Sequence, residues 1–401
     1  MPIFALALSL SALAGDAIVE VGPEVDLDST GTWARAVPME DGWVMAHGAQ
    51  GDFQVAALTK TGDGLSDWTM DREGRTNLTN HGELKDHAIR RCADGSFLHV
   101  ASANVDSPND SAYAWRYASD WSVIASAPVE ERETSHAHND MAVLCSSVAS
   151  GVAFGGGETG GDPAFLDIGS DMSVSVAATL PRGLQIAGGA VLADPEADEI
   201  YIIAVSFEGN LVRTTMDPEW SVLSTVGTPL DQPPERGYWP QGALRVGEYW
   251  LVAHMLRDDN AGGGDEGNVQ LLVLTDDWEV VDSARLTDNA PGEDGQRPWL
   301  ARKGKTLLMT YDRQRQHTLV EITLDLAFLG VDPDEDTGWD GSDDGGDDGG
   351  DGGDDDDDDD SGDGGATDDK DGCGGCTSAM GPSGAFAMLL PLIALVRRRQ
   401  G

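Results

Sequence analysis

Two segments of this sequence concentrate side chains suited to proton, metal and ligand chemistry. Lys85-Asp86-His87 and His136-Ala137-His138-Asn139-Asp140 each stand just ahead of a short apolar run. On an extended strand alternate residues share a face, so His136, His138 and Asp140 are candidate ligands for one divalent metal ion. Loop histidines more often only hydrogen-bond, and that reading stands beside the metal one. Asp86 and Asp140 are the candidate catalytic pair, because hydrolysis of a glycosidic bond needs two carboxylates across a sugar pocket. Glu158, Glu208 and Asp312 are similarly placed, and no motif selects among the five.

Arg236-Gly237-Tyr238-Trp239 and Gln296-Arg297-Pro298-Trp299 pair a guanidinium with aromatic rings. Trp239, Tyr238 and Trp299 could stack on sugar faces while Arg236 and Arg297 grip a carboxylate or sulfate. With His87 and His138 they form the candidate ligand-binding set. His47, His254 and Asp312-Arg313 end other apolar runs and add to the same rim. No Gly-rich phosphate loop, nucleophile elbow or zinc-protease helix is present. The HxHxD spelling of residues 136–140 looks like the metal motif of metallo-β-lactamase-like hydrolases, yet Met141 stands where that motif continues with His.

The elements that must position these residues repeat. An acidic turn, in four cases followed by Trp, recurs at Asp67, Asp120, Asp171, Glu219, Asp277 and, degenerately, Asp325. The intervals are 53, 51, 48, 58 and 48 residues, the long one containing the Gly/Asp-rich loop Asp258–Gly267. Within each unit short β-rich runs are bounded by Gly, Pro, Asp and Asn, and no long amphipathic helix intervenes. Four strands per roughly 50-residue unit, six times over, predict an all-β chain folded as a six-bladed β-propeller. Residues Ile18–Leu27 then supply the outer strand of the last blade and close the ring. The recurring Trp is expected to pack between blades, which removes four Trp residues from the site candidates. The layout resembles sialidase- and arabinanase-like propellers. It lacks the Asp-box spelling of the former, and it lacks the Gly-His…Trp-Asp spelling of the WD family, so no catalytic residue carries over.

Cys92 and Cys145 are 53 residues apart, the same as one repeat interval, and so occupy matching places in neighbouring blades. In an oxidising compartment that placement allows a blade-to-blade disulfide, Cys92–Cys145. Two separate buried thiols are the alternative if equivalent strands lie too far apart.

Charge divides the rest of the chain. Acids outnumber bases 71 to 25, a net of −46, which excludes nucleic acid as a natural partner and electrostatic docking on anionic lipid. Residues 332–371 form an Asp/Gly-rich segment that cannot bury a core, is expected to be disordered and extended, and reads as a stalk. Its carboxylates suit loose collection of Ca²⁺, although the EF-hand spelling is absent. Residues 1–14 close on Ala12-Leu13-Ala14 after an apolar stretch and read as a signal peptide cut after Ala14, without the usual preceding Lys or Arg. An N-terminal core strand is the competing reading.

At the other end, Cys373-Gly374-Gly375-Cys376 precedes a short apolar run, Ala385–Val396, and Arg397-Arg398-Arg399. The run is shorter than the roughly 20 residues an ordinary spanning helix needs. Residues 372–401, with a short hydrophobic helix, resemble the myxobacterial C-terminal sorting signal. That resemblance implies a sorting protease acting near Cys373 or Cys376 and display at the outer membrane or cell surface. Membrane contact would then be through this segment alone. The spelling is CGGC where CGC-type spellings are usual.

Residues 15–331 are thus expected to form a propeller exported to the cell surface. It is expected to act as a binding or adhesion module for extracellular polysaccharide or envelope components. A glycoside hydrolase or lyase at the channel mouth, or a protein-binding scaffold, are the alternatives.

Overall fold

The computed structural model describes residues 16–332, except 31, 50–51, 75, 80–83, 104–110, 132–140, 155–163, 180–183, 207–208, 231–241, 257–266, 291–294 and 314–315. Some side chains bordering these gaps, Lys85 and Asp86 among them, also lie outside the description. The chain divides into two units, Met1–Asp347 and Asp348–Gly401, of which the second lies wholly outside the described residues. So do Ala14, Cys373 and Cys376, the expected processing sites, and the expected C-terminal helix.

The described residues are all β and build six antiparallel blades in a ring, a six-bladed β-propeller. The innermost strands are Thr32–Met39, Leu84–Arg91, Met141–Cys145, Leu184–Asp194, Gly242–Val246 and Gly295–Lys303, which define blades 1 to 6 in that order. Each touches the next, and Gly295–Lys303 returns to Thr32–Met39. Middle strands lie between two neighbouring blades, so they are apolar on both faces. Glu199–Ser206 of blade 4, with Ile200, Ile202, Ile203 and Val205 all buried, shows the pattern. Outer strands face solvent and are largely exposed, as in Val222–Pro229.

Blade 6 is closed by the N-terminal segment, as its sequence predicts. Ile18–Val21 pairs antiparallel with Gln316–Leu324, and Val25–Thr30 pairs with the other end of the same strand. Blade 1 differs from expectation in two places. Its outer strand is split into Trp68–Met70 and Thr76–Thr79, both on Asp52–Lys60. Its innermost strand, Thr32–Met39, lacks an apolar signal because Arg35 and Pro38 interrupt it. An innermost strand is a sheet edge, so Pro38 is tolerated there.

In blades 2 to 5 the acidic repeat forms a three-residue hairpin loop, whereas in blade 1 the turn is longer and Trp68 opens a strand. In blade 2 the Trp121 N–H donates to the Ala118 carbonyl at 2.9 Å and the Ala118 N–H to Ser122 at 2.9 Å. Trp121, Met172, Trp220 and Trp278 therefore sit in the turn itself, not at the head of a strand. Their φ angles are 66°, 63°, 64° and 65°. Glycine is the usual occupant of that left-handed position, and a bulky residue there costs about 1–2 kcal/mol. Packing between blades offsets it. Trp220 lies 3.9 Å from Phe165 of blade 3, and the Trp278 indole N–H donates to the Leu211 carbonyl of blade 4 at 2.8 Å. Trp121 packs on a core cluster shared with blade 1. Trp68 donates to Glu321 of blade 6 at 2.6 Å. The repeated aromatic is an inter-blade wedge.

Cys92 and Cys145 form a disulfide at the ends of the innermost strands of blades 2 and 3, with Cα atoms 4.9 Å apart. That separation is within the ordinary range for a bridge.

Candidate functional site: the arginine–tryptophan ladder of the channel

The innermost strands of blades 1 and 6 each carry a bulge near their start. Register slips between Thr32 and Arg35 and between Gln296 and Trp299. The residues inside the slips, Trp33 and Arg297, are both left-handed, at φ 66° and 61°. They occupy equivalent places, since Arg35 pairs with Ala46 as Trp299 pairs with Thr310. Such bulges re-aim side chains and main-chain groups.

Here they build a ladder of alternating guanidinium and indole groups. The guanidinium carbon of Arg297 lies 4.3 Å from the centre of the Trp33 ring, and that of Arg35 lies 5.3 Å from it. Arg35 also lies 4.8 Å from Trp299, and Arg90 of blade 2 sits 4.6 Å from the same ring. Blades 2 and 6 are not neighbours, so Arg90 reaches past blade 1 to touch blade 6. Three blades are thereby tied by five side chains. Trp33, Arg35 and Arg90 are buried, whereas Arg297 and Trp299 are only partly so. Arg297 and Trp33 lie at strand starts and Arg90 near a strand end, so the ladder runs along the inner strands with Arg297 as its partly exposed first rung.

Asp312, at the end of the second strand of blade 6, holds the first rungs in place. Its carboxylate accepts the Trp33 N–H at 2.7 Å and the Ala34 N–H at 3.4 Å, with Arg297 3.6 Å away. Burial pushes the Asp312 carboxyl up, and Arg297, the two N–H donors and Arg35 pull against it. Arg35 also donates to the Arg297 carbonyl at 3.3 Å, and the Trp299 indole donates to the Ala36 carbonyl at 3.0 Å. The arrangement offers cationic and aromatic faces whose orientation is fixed before any ligand arrives.

Of the residues singled out in the sequence, Arg297 and Trp299 meet in this ladder. His87 lies behind it, fully buried, with its Nε2 2.6 Å from the Trp33 carbonyl. A carbonyl only accepts, so Nε2 carries the proton. His47, His254 and Asp312, expected on the rim, are likewise buried. Burial pushes His254 down to about 4 despite its bond to the Met255 carbonyl. His136, His138, Asp140, Arg236 and Trp239 lie outside the described residues, as does the Asp86 side chain. No group of three or more metal-ligating side chains occurs among the described residues. Trp33, Arg35 and Arg90 were absent from the sequence-based candidates. Trp33 and Arg35 belong to the one innermost strand without an apolar signal, and Arg90 to a strand recognised only by Ala88-Ile89.

No family model and no curated protein matches the sequence. Among solved structures, a protein of unknown function from Dyadobacter fermentans is similar with a TM-score of 0.56 and 12% identity, over 76% of this chain and 99% of that one. Trypanosoma rangeli sialidase in complex with the inhibitor DANA gives a TM-score of 0.46 at 10% identity, over 77% of this chain and 58% of that one. The SapL1 lectin in complex with alpha methyl fucoside gives 0.46 at 9%, over 71% and 88%. The likeness to the Dyadobacter fermentans protein is one of fold.

Proposed function

We propose that this chain is an exported, surface-displayed propeller that binds extracellular polysaccharide or another envelope component at its channel mouth. The observation that carries the reading is the ladder. It presents a largely buried guanidinium at Arg297, with 16% of its side chain exposed, and a partly exposed indole at Trp299, the two groups that suit an acidic group and a sugar face. Its carboxylate, Asp312, is engaged by two main-chain donors and lies 3.6 Å from Arg297, which supports a role in holding the wall. Polymers bearing carboxylate or sulfate groups are the preferred ligand class. The Cys92–Cys145 disulfide supports export, because such bonds persist in oxidising compartments. Display through residues 372–401 and cleavage near Cys373 or Cys376 rest on the sequence resemblance.

The test is to incubate the chain with neutral and acidic polysaccharides, with and without EDTA, and to record pull-down and reducing ends together. Retention on acidic polymers without release, weakened by Arg297→Gln and Trp299→Ala, is the expected result. Release of reducing ends would instead select a glycoside hydrolase or lyase, and loss of release in EDTA would implicate Ca²⁺ or another divalent ion at His136, His138 and Asp140. Neither retention nor release would leave the protein-binding scaffold.

A further inference from the structure

Behind the ladder, the seam between blades 1 and 2 is filled by imidazoles. His99, on the strand Phe97–Ala103, is fully buried between two aromatic rings. Phe53 of blade 1 stacks on it at 4.0 Å and 20°, and Trp115 of blade 2 at 5.3 Å and 26°. Neither of its ring nitrogens has a hydrogen-bond partner. His87 stands 5.5 Å from it, ring to ring, and meets the same Phe53 edge-on at 4.2 Å. With Nε2 given to the Trp33 carbonyl, His87 has a bare Nδ1.

The groups acting on this pair offer little welcome to a proton. Against a proton on His87 stand its burial, His99 from its own blade, and Arg35 and His47 from blade 1, while the Trp33 carbonyl alone favours it. Tyr117 lies 6.1 Å from His99, ring to ring. Further along, His47 meets His317 of blade 6 at 4.9 Å, and His317 approaches Asp312 at 3.9 Å. That carboxylate is already engaged with Trp33, Ala34 and Arg297.

We propose that this seam is an acid-operated joint, in which protonation of the packed His87–His99 pair drives blade 2 from blade 1 before the other blades yield. A second proton on His87 must go to Nδ1, beside Arg35 and a second imidazole. A proton on His99 points into aromatic walls. Stacking an imidazolium on Phe53 and Trp115 returns some cation–π attraction, but loss of water outweighs it. Burial accordingly holds His99 down to about 3 and His87 well below the usual imidazole range. Trp33 accepts from His87 and is also a ladder rung, so parting of the two blades also disturbs the ladder.

The experiment is hydrogen exchange by mass spectrometry on the full chain from pH 7 to pH 4, corrected for intrinsic exchange rates. Peptides spanning residues 32–39, 84–91 and 97–103 are expected to lose protection at least about tenfold before those spanning 199–216 and 249–255. The 249–255 peptide holds the buried His254 and serves as an internal control. His99→Phe keeps a stacked ring without titrating, and should lower the onset by about one pH unit. His87→Gln keeps a donor for the Trp33 carbonyl and should do the same if His99→Phe fails to fold. Loss of protection in all blades together in the unmodified chain would overturn the proposal, as would an unshifted onset in a folded variant.

Discussion

The carboxylate of Asp312, in blade 6, accepts the backbone N–H of Trp33, in blade 1, at 2.7 Å across 279 residues of sequence. It does so because a left-handed bulge at Trp33 turns that N–H out of its own sheet. The seam where the ring closes is thereby stitched by polar bonds. Thr310 adds a bond to the Ala34 carbonyl at 2.8 Å, and Lys303 adds one to the Met39 carbonyl at 2.8 Å.

Removing that acceptor should be costly. Asp312→Ala leaves two main-chain donors unmatched and Arg297 without its counter-ion in a buried place, a loss of about 3–5 kcal/mol. Asp312→Asn keeps one acceptor and should lose less. Urea unfolding of both variants checks the order, and an Asp312→Ala variant as stable as the parent would show that the seam does not depend on this carboxylate.

Cutting the Cys92–Cys145 bridge should destabilise the protein by about 4 kcal/mol, the chain-entropy value for a closed loop of this length. The double variant Cys92→Ser/Cys145→Ser should match the parent treated with reductant. A reductant that leaves the parent's urea midpoint unchanged would contradict this account.

The propeller was legible because its signals are local and repeated. The acidic turn recurs once per blade, and middle strands such as Ile200–Val205 are apolar on both faces. The same period placed Cys92 and Cys145 one repeat apart and left a bridge and two separate thiols as alternatives; the spacing of neighbouring innermost strands, 4.9 Å between the Cα atoms, decides for the bridge. The ladder was only half legible. Arg297 and Trp299 stand beside each other in sequence, but Trp33, Arg35 and Arg90 come from two other blades. Their meeting depends on two bulges that no composition or period encodes. His47, His254 and Asp312 illustrate the reverse: strand-end position predicts the rim, and packing between blades buries them.

The left-handed Trp278 makes a test in which glycine beats alanine. Trp278→Ala loses the bond to the Leu211 carbonyl and the packing on Trp250, about 3–5 kcal/mol. Trp278→Gly loses the same contacts but relieves the φ of 65°, so it should be about 1 kcal/mol more stable than the alanine variant. In a regular strand the order is the opposite. Thermal unfolding of the two variants side by side separates the cases.

Acid should weaken the whole propeller through its buried imidazoles. His99 and His254 are held at about 3 and about 4 in the folded chain by burial, and His87 is also lowered. Unfolded, each returns to about 6.5. Between those limits the unfolded chain binds more protons, so stability rises with pH: it is fully present above about 6.5 and lost as pH falls toward the folded values. Each histidine contributes a slope of up to about 1.4 kcal/mol per pH unit, so His99 and His254 together approach about 2.5 kcal/mol per unit near pH 5, and His87 acts in the same direction. Urea midpoints at pH 7, 6 and 5 measure that slope directly. A flat profile across this range would mean that the buried rings reach solvent, or gain an acceptor, without unfolding.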